Sequence, residues 1–276
     1  MKFLVENNIF IDDMRENYER RDKKSYEGEE KLMKISVITV NYNGSKTLSR
    51  TIESVLNQTY NNIEYIIIDG KSTDNSTEII KSYEKKFKEK KYEYKWISEK
   101  DTGTYNAMNK GIKMASGKIV GIINSDDWYE KDTLNLVANE FKRDINLEMI
   151  YGLLRTINNN CFEKIKGDYH SFGKGQHPTV FLKKEIYEKY GAFNEKYKIA
   201  ADSDLLLRLK NKNIKYIFIE KILANFDLSG ISTRNFLEAS LEDVKISYLN
   251  GIYTKKERII RIISIYLKYF GKNLLK

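Results

Sequence analysis

Four short apolar runs, each ending in a polar cluster, limit most strongly how this chain can fold. The runs are ISVITVN, EYIIIDG, YKWIS and KIVGIIN, and segments with helical spacing of apolar residues lie between them. Near-continuous apolar strands that alternate with helices predict an α/β fold, in which helices cover both faces of a mainly parallel sheet. Crossovers in such sheets are right-handed, and ligands bind at the carboxyl ends of the strands.

Polar side chains follow every one of these predicted strands. The clusters are Asn41-Tyr42-Asn43-Gly44, Asp69-Gly70-Lys71-Ser72, Ser98-Glu99-Lys100-Asp101 and Asn124-Ser125-Asp126-Asp127. The Gly-Lys-Ser-Thr of the second cluster partly matches a phosphate-binding loop, but that loop needs another glycine where this chain has Tyr65. Asp69 is therefore the stronger functional clue, and the four clusters together predict one binding site.

The chain is expected to divide into three parts: a polar extension over 1–33, an α/β domain over 34–235 and a helical region over 236–276. Its net charge of +9 would attract phosphates, nucleic acid or anionic lipid. The basic residues are mixed with acids rather than interleaved with aromatics, so nucleic acid is not the expected partner. The single Cys161 excludes an intramolecular disulfide and a thiolate zinc cluster, which fits the cytoplasm. Neither a signal peptide nor an apolar run of roughly 18 to 20 residues is recognisable.

Asp126 and Asp127 stand side by side directly after a predicted buried strand. Adjacent carboxylates repel each other, so the pair is most stable when a hard cation bridges it or when both groups lie in water. A turn with a helix N-cap is the alternative. The position at a strand end favours a divalent ion, which would complete its shell with water and substrate phosphates.

Together, four segments of the chain resemble a family 2 glycosyltransferase of the GT-A fold, of the non-processive bacterial cell-surface polysaccharide type. They lie in order between roughly Lys34 and Asp227 and are ISVITVNYN, SVLNQTYNNIEYIIIDGKSTDNST, ISEKDTGTYNAMNKGIKMASGKIVGIINSDDWY and GAFNEKYKIAADSDLLLRL. The resemblance implies a Rossmann-like central sheet, with further helices at the C-terminus. It also implies a nucleotide-sugar donor and a Mn²⁺ or Mg²⁺ cofactor.

By the same resemblance, Asp126 and Asp127 are the DXD-type acids of the family. Asp127 is expected to contact the metal, and Asp126 the ribose or the metal. Each residue of the donor group could instead be a cap, a turn residue or a buried hydrogen-bond partner. The residues that the resemblance assigns to the donor and its nucleotide are Tyr42, Asn43, Asp69, Asp101, Asn109 and Asp126.

AADSDLLLRL supplies a second acidic centre, with Asp202 and Asp204 at the start of an apolar helix. Either residue could be the N-cap of that helix. In the family, an aspartate at the place of Asp202 is the general base that removes the acceptor's hydroxyl proton, and the reaction inverts the anomeric configuration. The family usually has Glu-Asp here and this chain has Ala201-Asp202, so the choice between the two acids stays open.

Four further residues are weaker candidates for the acceptor or the pyrophosphate. His177 opens a predicted strand on the acceptor side, and a structural role is the alternative for it. The segment NFDLSGISTR resembles a flexible loop that closes over the donor pyrophosphate, although a plain surface loop fits equally well. Its phosphate candidates are Ser229, Ser232 and Arg234.

Two departures from the family pattern refine the expected activity. Many relatives have a second acid that reads uracil where this chain has Gly70, so a UDP-sugar donor follows from analogy. The Gln-x-x-Arg-Trp of processive synthases is absent, which favours addition of one sugar to a glycan acceptor of cell-surface polysaccharide, O-antigen or capsule synthesis. A non-catalytic nucleotide- or glycan-binding module on the same fold is the alternative, and the intact acids argue against it.

The segment from Lys255 to the end of the chain predicts an amphipathic helix. Its polar stripe is Glu257, Arg261, Ser264 and Lys268, and its apolar stripe is Ile259, Ile262, Ile263, Tyr266 and Phe270. The apolar stripe would either pack on the catalytic domain or insert shallowly into an anionic bilayer. In the second case, the protein is peripheral on the inner face of the cell membrane, beside a lipid-linked acceptor.

Overall fold

Four parallel strands form the first half of the central sheet. The computed structural model describes residues 33–158, 161–173, 176–229 and 235–274. Its first strands are β1 (Ile35–Asn41), β2 (Ile63–Asp69), β3 (Glu93–Ser98) and β4 (Ile119–Ile122). β1 lies between β2 and β4, and β3 pairs with the other side of β2. The register places Asn41 beside Asp69 and Asp69 beside Ser98, so the predicted polar clusters meet at one edge.

Helices cover both faces of these strands. Ile38 of β1 belongs to the same buried cluster as Met108, whereas its neighbour Val37 is buried with Ile52. Since successive side chains of a strand point to opposite faces, β1 is covered on both sides, as its unbroken apolar sequence predicts. The helices of this half are α1 (Leu48–Leu56), α2 (Ser76–Ser82), α3 (Glu84–Glu89), α4 (Thr104–Met114) and α5 (Thr133–Arg143).

The second half of the sheet mixes strand directions. Its strands are β5 (Trp128–Tyr129), β6 (Met149–Asn158), β7 (Cys161–Lys166), β8 (Phe181–Lys183) and β9 (Tyr216–Asp227). The order is β3-β2-β1-β4-β8-β6-β9-β5, with β7 beside β6. β8 is antiparallel to both neighbours, whereas β6 and β9 are parallel. Because Trp128 pairs with Asn225, the end of β9 comes back to the segment that follows β4.

The later helices complete the described part of the chain. They are α6 (Lys184–Tyr190), α7 (Ala201–Lys210), α8 (Phe236–Leu249) and α9 (Lys255–Leu274). α8 is anchored by Val244 and Ile246, which are 5% and 0% exposed. Among the described helices, none is sufficiently long and apolar to cross a bilayer.

The predicted helix-covered, mainly parallel sheet is confirmed, but two local predictions are wrong. His177 does not open a strand; it begins a 3-10 turn that ends at Thr179. Pro178 explains this, because proline lacks the N–H that a strand would use and its fixed φ suits a turn. The apolar run IKYIFIE predicts a strand that ends near Glu220, but β9 continues to Asp227, with a register shift against β6.

A buried carboxylate links three strands near the opposite edge of the sheet. Glu64 is 0% exposed and accepts hydrogen bonds from the side chains of Ser36 and Lys95. Ser116 adds its backbone N–H at 2.7 Å and its hydroxyl at 2.9 Å. Burial by itself would raise the pKa of Glu64, but these hydrogen bonds outweigh it and lower the pKa to about 2. The folded protein therefore stabilises the charged form of this carboxylate.

We expect Glu64→Gln to lower the free energy of unfolding at pH 7 by about 2 to 3 kcal/mol. The pKa of Glu64 lies below its ordinary value of 4.5, so its contribution is complete above that value and is lost as the pH falls toward 2. The variant should therefore lose less stability than the wild type between about pH 5 and pH 3, as measured by urea unfolding.

Glu93→Gln is the matched control, since Glu93 also pairs with Lys95 but its side chain is 45% exposed. Its expected cost is below about 1 kcal/mol. Equal costs for the two variants would contradict a specific role for the buried carboxylate.

Candidate active site at the carboxyl ends of the strands

Asp69 ties together the ends of three neighbouring strands. Its carboxylate is 0% exposed and accepts hydrogen bonds from Asn41 Nδ2 at 2.8 Å and from Ser98 Oγ at 2.6 Å. The backbone N–H of Ser72 donates at 3.0 Å and its hydroxyl at 2.5 Å. These donors come from the ends of β1 and β3 and from the loop after β2. Asp69 thus fixes this edge of the sheet, and its predicted contact with the base or ribose stays a prediction.

An exposed tyrosine and a carboxylate meet beside Gly70. A Cβ atom at this position would lie 2.6 Å from Oδ2 of Asp101 and 3.3 Å from Cδ2 of Tyr42, so only glycine leaves them room. The Tyr42 side chain is 67% exposed. Asn43 holds the loop behind it, because its Oδ1 accepts the backbone N–H of Thr73 at 2.8 Å. Tyr42 and Asp101 therefore border the backbone of Gly70, which has no side chain. A planar ring could lie against this surface.

Three carboxylates gather where β4 ends, and they are not equivalent. Asp127 is 0% exposed and its Oδ1 accepts the backbone N–H of Asp227 at 3.0 Å. Asp126 is half-buried, and its backbone carbonyl accepts from Arg50 at 2.7 Å. Arg50 also donates to Oδ2 of Asp227 at 3.1 Å and stacks on Trp128, 3.7 Å from the ring centre. Arg50 and Asp227 thereby hold the segment that carries the two adjacent acids.

The pKa values of Asp127 and Asp227 shift in opposite directions. Burial raises the pKa of Asp127 well above its usual range, and the negative charges of Asp126 and Asp227 add to this effect. Burial would also raise the pKa of Asp227, but hydrogen bonds from Ser229 and Arg50 lower it. Asp127 therefore faces the protein interior, and Asp126 is the adjacent acid with access to a ligand. The prediction that Asp127 is the principal metal contact is not tested by this geometry, but its burial favours Asp126.

Oxygen donors near Asp126 fit a divalent ion that a ligand helps to hold. Within the described residues, no three His, Cys, Asp or Glu side chains form a set that could bind a metal by themselves. Oδ1 of Asn124 is buried and has no hydrogen-bond partner in the described structure. Carboxylate and amide oxygens suit Mg²⁺ and Mn²⁺, which take their remaining ligands from water and phosphate. The donor set therefore fits an ion that is shared with a phosphate-bearing ligand.

Asp202 lies against α4, the helix that follows Asp101, in a partly aromatic setting. It is half-buried in the first turn of α7, and the Tyr105 hydroxyl lies 3.2 Å from its Oδ1 and 2.5 Å from the carbonyl of Ile199. Burial lowers the pKa of His177, and the charge of Asp202 opposes this effect. The edge of the His177 ring packs against Phe193, with ring centres 5.7 Å apart. Asp202 is thus near enough for its charge to act on His177, and the place of His177 on the acceptor side stays a prediction.

The Asp204 carboxylate is paired with an arginine of the same helix. It is 6% exposed and accepts from Nε of Arg208 at 2.9 Å. Arg208 in turn donates to the backbone carbonyls of Tyr190 and Ala192, each at 2.7 Å. α7 begins before both acids, so the alternative in which one of them is its N-cap is wrong. Of the two acids, Asp202 is the one whose carboxylate is available for chemistry.

The remaining predicted residues have mixed outcomes. Asn109 accepts the backbone N–H of Phe193 and donates to its carbonyl, both at 3.0 Å, so it ties α4 to the segment before α7. Its part in the donor pocket stays a prediction. Ser229 is exposed at the end of β9. Ser232 and Arg234 lie outside the described residues.

Three residues of the site escaped the sequence analysis. Arg50 lies in an amphipathic helix, where an isolated arginine is typical of a solvated surface. Asp227 is the third residue of the predicted flexible segment NFDLSGISTR, and nothing in its neighbourhood indicates a pairing with Arg50. Tyr105 is part of the GTYNAMNKG stretch that carries the resemblance, and this is the one signal that could have identified it.

Comparison with known proteins agrees with this arrangement. Residues 36–204 match the family model described as Glycosyl transferase family 2. The chain is 26% identical over 232 residues to chondroitin synthase of Escherichia coli, an alignment that covers 78% of this chain and 32% of that protein. The chain therefore spans about a third of the length of this relative.

Two solved structures share the fold. TarS 1-349 of S. aureus in complex with UDP-GlcNAc has a TM-score of 0.65 at 17% identity, over 87% of this chain and 73% of that one. Mannosyltransferase PcManGT from Pyrobaculum calidifontis in complex with GDP-Man and Mn²⁺ has a TM-score of 0.64 at 16% identity, over 86% and 70%. These likenesses confirm the predicted GT-A fold class.

The two acids of α7 should differ sharply in their effect on stability. We expect Asp204→Ala to lower the free energy of unfolding by about 3 kcal/mol, because it leaves Arg208 without its buried partner. Asp202→Ala should cost less than about 1 kcal/mol, since Asp202 is half-buried and its hydroxyl neighbour also contacts Ile199. Urea unfolding at pH 7 compares the two variants. A larger loss for Asp202→Ala would contradict the assignment of Asp204 as the structural acid.

Proposed function

The chain belongs to glycosyl transferase family 2, and on that premise we propose that it is an inverting glycosyltransferase. It moves one hexosyl or N-acetylhexosaminyl unit from a nucleotide diphosphate sugar to a glycan acceptor in cell-surface polysaccharide, O-antigen or capsule synthesis. One observation carries the proposal: half-buried acids, Asp101 and Asp126, follow strands that end at the same edge of the sheet, and Tyr105 of the helix after Asp101 contacts a third, Asp202.

The donor's base lies beside Gly70 in this proposal. A uracil ring stacks on the exposed Tyr42, and its N3–H donates to the Asp101 carboxylate, which approaches Gly70 in place of a side chain. The UDP-GlcNAc in the TarS complex supports a UDP-sugar, because the two chains share their fold. Asp69 and Asn43 keep the loops around this face in place.

Asp126 would hold a Mn²⁺ or Mg²⁺ ion, and the buried Oδ1 of Asn124 would be a second protein oxygen. When bound, the ion stabilises negative charge on the leaving diphosphate. Asp127 contributes by holding the end of β9 through Asp227. The Mn²⁺ in the PcManGT complex supports a metal-dependent reaction on this fold.

Asp202 acts as the general base. Its carboxylate takes the proton from an acceptor hydroxyl, whose oxygen forms a bond to the anomeric carbon as the bond from that carbon to the diphosphate oxygen breaks. Attack opposite to the leaving group inverts the anomeric configuration. The Tyr105 hydroxyl orients the Asp202 carboxylate by a hydrogen bond. His177 lines the acceptor side in its neutral form, because burial lowers the pKa of its imidazole.

Asp202→Asn should reduce transfer by about 10² to 10⁴-fold, because the amide cannot take the acceptor's proton. The affinity for the UDP-sugar should change less than about twofold, since the proposed donor groups lie in the loops after β1, β3 and β4 and not in α7. Initial rates from a panel of nucleotide sugars with Mn²⁺ measure the first effect and calorimetry the second.

Glu188→Gln, a substitution in the exposed pair of Glu188 with Lys184, is the control. NMR of the product should show the inverted anomer. Full transfer by Asp202→Asn would point instead to another base, and absence of transfer by every variant and the wild type would leave a non-catalytic module.

We place the protein at the inner face of the cell membrane, beside a lipid-linked acceptor, through α9. One side of this helix contacts α8, where the Arg258 guanidinium lies 4.8 Å from the Tyr248 ring centre. A second side exposes large apolar residues: Ile259, Ile260, Ile263, Tyr266, Leu267 and Phe270. Residues 255–270 contain five basic side chains and one acidic. That charge repels a second copy and attracts anionic lipid, so shallow insertion is the favoured use of the apolar side.

Leu267→Glu should weaken binding to phosphatidylcholine vesicles that contain phosphatidylglycerol by at least about tenfold, because Leu267 is 69% exposed on the inserting side. Ser264→Glu adds the same charge on the polar stripe and isolates the apolar contribution, so its effect should be several-fold smaller. Co-sedimentation measures both. Equal binding by the two variants, or dimers of the wild type in light scattering, would contradict the membrane role.

A further inference from the structure

One carboxylate from α8 receives three backbone donors of the turn that leads into α7. Glu242 accepts the N–H groups of Lys198 and Ile199, each at 2.9 Å, and that of Ala200 at 3.0 Å. Ala200 is the N-cap of α7 and has no side chain that could cap a helix. Glu242 therefore supplies, from a different helix, the anionic acceptor that favours a helix N-terminus.

The same turn is held from its other side by α4. The Tyr105 hydroxyl lies 2.5 Å from the carbonyl of Ile199 and 3.2 Å from Oδ1 of Asp202. Glu242 fixes the N–H groups of the turn, and Tyr105 fixes its carbonyl and the carboxylate that follows. The orientation of Asp202 thus depends on two contacts with helices that are distant in sequence.

The part of α8 that carries Glu242 is anchored in the hydrophobic core. Ile246, one turn after Glu242, is 0% exposed and belongs to the buried cluster that also contains Ala200. By contrast, Glu238, one turn before Glu242, forms an exposed pair with Lys198 at 3.8 Å. Two acids of one helix therefore reach the same turn, Glu242 through three hydrogen bonds from main-chain N–H groups and Glu238 through an exposed ion pair.

We propose that Glu242 is a positioning residue, which sets the place of the Asp202 carboxylate through the 198–200 turn. This inference rests on the proposed role of Asp202 as the base. Hydrogen bonds from N–H groups to a carboxylate are stronger than neutral ones, so their loss frees the turn. A displacement of about 1 Å at a catalytic group can reduce turnover by about 10²-fold.

The test compares Glu242→Ala, Glu242→Gln and Glu238→Gln in the full chain. We expect kcat to fall about 100-fold for Glu242→Ala and about 10-fold for Glu242→Gln, which keeps one acceptor oxygen. Glu238→Gln should be within about twofold of the wild type, because its ion pair is exposed. The KM for the UDP-sugar and the stoichiometry of UDP binding in calorimetry should stay unchanged in all three.

The number of UDP-binding sites per chain distinguishes a positioning role of Glu242 from a role in folding. A fall in UDP-binding sites in proportion to kcat would show a merely structural role and overturn the inference. Transfer by Glu242→Gln equal to that of Glu238→Gln would overturn it as well, even if Glu242→Ala fails to fold. If the inference fails in either way while the wild type is active, the proposed function stays intact. An inactive wild type would overturn the proposed function and the inference together.

Discussion

The buried carboxylate of Asp69 is the interaction on which the site depends. A charged group that is cut off from water is tolerated only when hydrogen bonds replace its hydration, and here the ends of β1 and β3 provide them. Close packing between loops continues along the same edge of the sheet. A Cβ atom at Gly44 would collide with Asn41 on one side and with Ser125 on the other, so the loops after β1 and β4 are in close contact. The polar clusters therefore form one surface.

In each of two pairs of neighbouring acids, one acid has a structural role and the other is the one that we propose for ligand binding or catalysis. Asp127 and Asp204 are buried and hold the protein together, whereas Asp126 and Asp202 are half-buried. In each pair the buried acid keeps its neighbour's segment in place. The arrangement follows from electrostatics, since two adjacent carboxylates cannot both be desolvated without a cation or a set of donors. Burial therefore distinguishes the acid that we propose for ligand binding or catalysis from its structural partner.

The sequence predicts the mainly parallel sheet, the alternation of strands and helices in its first half, and the edge at which the polar groups gather. Those features depend on local apolar patterns, which a single sequence contains. It does not indicate which acid of a pair is buried, because both have the same side chain and lie within two residues of each other. It also misses Arg50 and Glu242, whose partners lie far away in sequence and are brought close only by the fold.

The central claim is that this edge binds a nucleotide diphosphate together with a divalent ion at Asp126. Calorimetric titration of UDP with and without Mn²⁺, for the wild type and for Asp126→Asn, tests it most directly. The account predicts that Mn²⁺ strengthens UDP binding to the wild type by at least about tenfold, and that Asp126→Asn loses this gain while retaining the metal-independent affinity. An equal gain from Mn²⁺ in both proteins would contradict the account.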